Sequence, residues 1–340
     1  MNQTMGAISS SSVYFRLIAL WVLCETVLGG IIHGFKLPVS GLIVGSGALI
    51  CICLLALYVP AKGAILKATI IVAIFKMMLS PQAPLPAYVA VFFQGIMGEI
   101  IFLKRKNYAL GCMVLCVLGL FESSCQRIII MTLVYGNDFW KVVNEFANTL
   151  VSTSSINYSL YAVGLYILLH IIAGIFVGIY AASFPRRLAK WTANDEYIIS
   201  AKERATASAT FDMPLSNKKK KIKWGLVCIW IALVFLYAFF TFLQPSTFFS
   251  QSIIQIIIRS ALILLTWYLV IGPLLSNFMK NILAKQQGRF QQDVHAILQL
   301  LPSTKYILLR SWQLSSSAHG LIRIKSFCNI VLLNTLHEEA

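Results

Sequence analysis

YALGCMVLCVLGLFESSCQRIIIMTLVY (Tyr108–Tyr135) is apolar at both ends and polar in the middle. A helix needs about 20 apolar residues to cross a bilayer. This stretch exceeds that, so it must tilt, kink or project. Its polar run ESSCQR (Glu122–Arg127) then falls near mid-membrane, where a charge costs about 3 kcal/mol or more. One segment therefore gives both a fold class and a first place to look for function.

The rest of the chain repeats the pattern. Of its 340 residues, 58% are hydrophobic and 12% are charged, against about 25% charged in a soluble domain. Apolar stretches at Tyr14–Ile32, Gly41–Val59, Gly63–Leu79, Ala87–Leu103, Tyr158–Phe184, Trp224–Leu243 and Ser252–Leu275 bring the expected spans to eight. Pro and Gly punctuate them at His33–Gly41, Pro60 and Ser80–Pro86. Asn137–Ser155 is amphipathic and too polar to cross. It is expected flat on the outer interface, with Phe139, Trp140, Val143 and Phe146 toward lipid or the bundle. The first helix follows MNQTMGAISSSSVYFR, which lacks a basic region and a cleavage pattern, and reads as retained rather than as a signal peptide.

The expected fold is all-α: a six-helix membrane bundle over 10–185, a basic linker over 186–221, a two-helix hairpin over 222–277 and a cytoplasmic helical tail over 278–340. In the tail, Val294, Ile297, Leu298 and Leu301 make a helical stripe that Pro302 is expected to end. A second helix covers about Lys305–Leu336, with breaks at Ser315–Ser317 and Gly320. The stripe suits a membrane surface or a partner's groove.

The net charge of +16 follows topology rather than nucleic acid, since no recognition motif accompanies it. Lys62, Lys104–Lys106, Arg186, Arg187, Lys190 and Lys218–Lys221 fall on one side of the spans, which is then cytoplasmic. Both termini are expected on the cytoplasmic side of a cell (inner) membrane crossed several times. Seven of the eight cysteines lie in apolar stretches, where Cys acts as a small hydrophobe. No CxxC pair signals zinc or disulfides.

Intramembrane polar residues are the site candidates. Glu122 and Gln126, at i and i+4, share a helix face and with Gln94 form a set suited to a solute. Arg127 points elsewhere and is expected to meet Glu25 or Glu99 on another helix. Lys76 is expected to snorkel to the outer surface. Each group either serves a ligand or only ties helices together. His33, His170 and Arg259 read as packed polar residues. No HExxH, GxSxG or Walker loop appears, and no Asp-rich pair for Mg²⁺. The expectation is no enzyme activity, no catalytic residue, no metal and no cofactor.

HGFKLPVSGLIVG (His33–Gly45), AKGAILKATIIVAIF (Ala61–Phe75) and SPQAPLPAYVAVFFQGIMGEIIF (Ser80–Phe102) together resemble the substrate-binding membrane components of energy-coupling factor transporters, especially the cobalt- and nickel-uptake members. The resemblance covers about 170 residues. It implies a substrate-capture subunit that works with separate ATPase and coupling subunits in the lipid bilayer. The metal-uptake members carry histidines at the extreme N-terminus and in the loop-to-helix region. MNQT and Tyr88 stand there instead, so the implied small-molecule substrate is organic and vitamin-like. The tail bears a weaker likeness to the coupling component, whose Ala-Arg-Gly motif is matched by Ala318-His319-Gly320. The alternative is a membrane scaffold whose basic linker and tail recruit cytoplasmic partners.

Overall fold

A computed structural model describes residues 10–30, 40–80, 83–103, 107–151, 157–191, 197–200, 203–204, 224–242, 258 and 260–336. Most of the expected first loop (His33–Val39), the Lys104–Lys106 cluster, the Lys218–Lys221 run and Arg259 lie outside them. The described residues are 93% helical with no strand. In chain order the helices are α1 (Ser10–Leu23), carried on by a π-helical turn at Cys24–Leu28, α2 (Ser40–Tyr58), α3 (Ala64–Leu79), α4 (Leu85–Leu103) and α5 (Tyr108–Tyr135). Then come α6 (Asn137–Val151), α7 (Tyr158–Trp191) and α8 (Trp224–Phe242). A second π-helical turn, Trp267–Ile271, leads into α9 (Gly272–Arg289), followed by α10 (Gln291–Leu314) and α11 (Gly320–Leu336).

Ser40–Tyr58, Leu85–Leu103, Tyr108–Tyr135 and Tyr158–Leu188 are each long and apolar enough to cross a membrane, so the protein is membrane-embedded. Among the other expected spans, α3 has 16 residues, about 24 Å at 1.5 Å per residue against a hydrocarbon core of ~30 Å, α1 with its π-helical turn is helical from Ser10 through Gly30, and α8 has 19 residues. The apolar parts of the expected hairpin are Gly225–Leu236 and Ser260–Leu274.

Small residues set the helix packing. α5 and α7 make the most extensive helix pair. A Cβ on Gly174 would sit 2.8 Å from the Val117 Cα, and one on Gly178 would sit 2.7 Å from the Met113 Cα. Two glycines four residues apart let two backbones touch, as apolar helices require where lipid removes the hydrophobic drive between them. Gly111 and Gly119 of α5 similarly receive Phe102 and Leu49.

α1 occupies the middle of the packing. Leu17, Ile18, Ala19, Trp21, Val22 and Leu23 are all fully buried, enclosed by α2, α3, α10 and α11. This changes the reading of the tail. The stripe Val294, Ile297, Leu301 is buried and continues through Thr304, Ile307 and Ser311; it packs on α1 rather than on a membrane surface. Pro302 does not end the helix. A proline inside a helix removes one hydrogen bond and kinks or breaks it, yet here the buried stripe on both sides of Pro302 holds one continuous α10. Pro185 behaves alike within α7, where the Arg187 guanidinium reaches back to donate to the Tyr180 carbonyl (2.7 Å) and the Ser183 hydroxyl (3.0 Å). The expected break after α10 is present, as a short 3₁₀ turn at Ser315–Ser317 and a left-handed Gly320 (φ 57°).

The far half of α11 is enclosed, Asn329 through Leu336 being buried. The Tyr180 hydroxyl donates to Asn329 Oδ1 (2.8 Å). Asn334 accepts from the Ile199 amide (2.8 Å) and Arg204 (3.2 Å), and donates to the Tyr197 (2.8 Å) and Ile330 (2.9 Å) carbonyls. At the start of α10, Asp293 meets Lys67 of α3 at 2.8 Å. Asn334→Leu should cost about 2 kcal/mol, because it orphans several buried backbone groups. Faster protease cleavage near Tyr197–Ser200 and a lower melting temperature would report it; unchanged cleavage would count against the clamp.

α6 folds back through Trp140, whose indole N–H donates to the Thr132 hydroxyl (3.0 Å), and through Asn144, which accepts from the Ser159 amide (2.6 Å). Phe139 stacks on Tyr135. Phe146 is exposed, with Val142 and Leu150, so this helix divides its apolar residues between bundle and surroundings.

Candidate functional site

Five of the six residues singled out by sequence fall into two groups that meet at the first turn of α4. The first group depends on the π turn at Cys24–Leu28. Such a turn breaks the regular helical repeat and is frequent where a side chain must be re-aimed. It contains Glu25, whose Oε2 lies 2.5 Å from Lys76 Nζ. Both residues are buried, at 7% and 5% exposure. Lys76 Nζ also donates to the Ala87 carbonyl (3.2 Å) and lies 6.0 Å from the Tyr88 ring centre. The expectation that Lys76 snorkels outward is corrected: a carboxylate and a carbonyl within reach hold it inside.

The second group lies between α4 and α5. The α5 face toward α4 is marked by Gly111 against Phe102, Leu115 against Gly98, and Gln126, whose Nε2 donates to the Pro86 carbonyl (2.9 Å). Glu122 falls on that face one turn from Gln126. Its Oε2 is buried with no hydrogen-bond partner. Gln94 is 2% exposed and sits in the wall that α4 shares with α2 and α5: a Cβ on Gly45 would meet both Gln94 Nε2 (3.4 Å) and Leu120 (3.3 Å). The Gln94 Oε1 is likewise buried and unpartnered. The two groups are joined because Gln126 and Lys76 bind consecutive carbonyls, Pro86 and Ala87.

Arg127 belongs to neither group. It lies toward α7, near Tyr166, and forms no ion pair among the described residues. Both expected partners are engaged elsewhere. Glu25 holds Lys76. Glu99 accepts from the Gly63 (2.6 Å) and Leu66 (3.3 Å) amides, and so caps α3 from a neighbouring helix. α3 starts after a left-handed Gly63 (φ 78°) that has no capping side chain of its own, and the first amides of a helix need acceptors. Sequence reading missed this role, although a glycine just before a helix was a signal for it. His170 is buried, with Nδ1 2.9 Å from the Tyr166 carbonyl. Among the described residues no group of three or more His, Cys, Asp or Glu is placed to hold a metal.

Two unpaired acceptors in a low-dielectric wall are costly, at about 1–3 kcal/mol each. Such groups mark a place where water or a ligand completes the hydrogen bonding. Comparison with protein families, with curated proteins and with solved structures returns no match.

Proposed function

We propose that this chain is the solute-capturing membrane component of an energy-coupling-factor-like uptake system in a cell membrane. It binds a small, vitamin-like organic molecule at the α2–α4–α5 wall, performs no chemistry on it, and depends on separate ATPase and coupling subunits. The observation that carries this reading is the two buried, unpartnered acceptors, Gln94 Oε1 and Glu122 Oε2, whereas the intramembrane charges Glu25 and Lys76 are ion-paired. The test is a broad panel of water-soluble organic solutes against the purified full chain, read by thermal stabilisation, with affinity capture of associated ATPases. A solute that stabilises wild type and is lost on Gln94→Leu supports the reading. Absence of both a solute and an ATPase would end it.

A scaffold reading draws on the α10–α11 tip. Leu309, Trp312, Leu321, Ile322 and Ile324 are exposed there, and Arg323 stacks on Trp312 at 4.2 Å. Residues 294–336 contain no Asp or Glu, so this tip suits an acidic, partly apolar partner. Deleting the tail would strip cover from α1, so the separating experiment is Leu321→Ser with Ile322→Ser. Partner capture falls under the scaffold reading, while solute binding persists under the capture reading.

A further inference from the structure

The polar atoms of the α2–α4–α5 wall differ in whether they are paired. Two donors here are engaged: Lys76 Nζ with Glu25 and the Ala87 carbonyl, and Gln126 Nε2 with the Pro86 carbonyl. Glu25, in turn, has its charge balanced by Lys76. Arg127 is five residues from Glu122, about 140° around the helix, and lies toward α7. The buried atoms left open on this wall are Gln94 Oε1 and Glu122 Oε2. Both accept, and one belongs to a carboxyl.

We infer that the site takes a cationic organic solute rich in N–H donors, such as an amidinium, an aminated nitrogen heterocycle or a substituted ammonium, and discriminates against carboxylates and phosphates. This rests on the capture reading above and narrows it. A donor ligand supplies the hydrogen bonds the two acceptors lack. An anion would bring further acceptors to a wall whose buried open atoms already accept, leaving them unpaired. Recognition by a buried polar group is also selective, because a ligand lacking the matching donor leaves that group unpaired.

The test compares two planar probes of nearly equal shape, benzamidine and benzoate, on the full-length protein in nanodiscs by isothermal titration calorimetry and ligand-observed NMR. Benzamidine is expected to bind, and benzoate to bind at least about tenfold more weakly. Gln94→Leu and Glu122→Gln should each weaken benzamidine about tenfold, and the variants should elute as wild type on size exclusion. Equal binding of the two probes overturns the inference. So does benzamidine binding that neither substitution changes. If a solute-panel hit is anionic and depends on Gln94, capture stands and the donor class falls. If both substitutions raise the melting temperature and no solute of either charge binds, the acceptors are internal polar groups and both readings fall together.

Discussion

Gly178→Leu is expected to destabilise the protein by about 3 kcal/mol, near the top of the range for overpacking a tight interface. The atoms a new side chain would meet are the Met113 Cα and the Cys112 carbonyl. Backbone cannot rotate away as a side-chain tip can, so α5 and α7 would have to separate along their whole contact. Gly174→Leu, one turn along, should behave alike against Val117 and the Cys116 carbonyl. Gly164 lies on the same helix, and a Cβ there meets nothing within 4 Å, so Gly164→Leu should be near neutral. Thermal unfolding in detergent, with size-exclusion profiles, reads all three. Equal melting temperatures for Gly164→Leu and Gly178→Leu would mean that α5 and α7 do not pack this way.

Helix positions were legible because the signals were local. The ends of α5 follow from Lys106-Asn107 on one side and Gly136 on the other, and α2, α3 and α4 lie within two residues of their expected bounds. What was not legible is which surface each helix covers. Val294, Ile297 and Leu301 form the same stripe whether they meet lipid, a partner or α1, because periodicity names a face and not its occupant. Pro302 was read as an end because a proline is costly in isolation, and the span over α7 was ended at Phe184 because the chain turns polar there; both helices continue through their prolines. At the candidate site, polarity inside a span singled out Glu25, Lys76, Gln94 and Glu122. It carried no pairing information, which depends on the π turn aiming Glu25 and on Glu99 being engaged at the start of α3. The glycine pair on α7 was visible as spacing and went unread.

The Glu25–Lys76 pair separates structural from functional polarity most sharply. Lys76→Met removes the ammonium and leaves a carboxylate enclosed by α1 and α3, which should cost about 3–5 kcal/mol. Glu25→Leu leaves the ammonium with the Ala87 carbonyl and the Tyr88 ring face, so its cost should fall toward the lower end of that range. The double substitution Glu25→Leu/Lys76→Met replaces two buried charges with apolar groups of comparable size. Such exchanges are often neutral or stabilising, so most of the single-variant loss should be recovered, giving a coupling energy of several kcal/mol in a double-mutant cycle. Simple additivity would mean the two side chains do not meet. If coupling is found, binding by the double variant then assigns the role. Glu25 and Lys76 neutralise each other, while the open acceptors belong to other side chains, Gln94 and Glu122. A stable double variant that still captures solute therefore places the pair among the groups that hold α1 against α3. One that is stable and no longer captures solute places it in the recognition surface, with the Pro86 and Ala87 carbonyls as the link between the two groups.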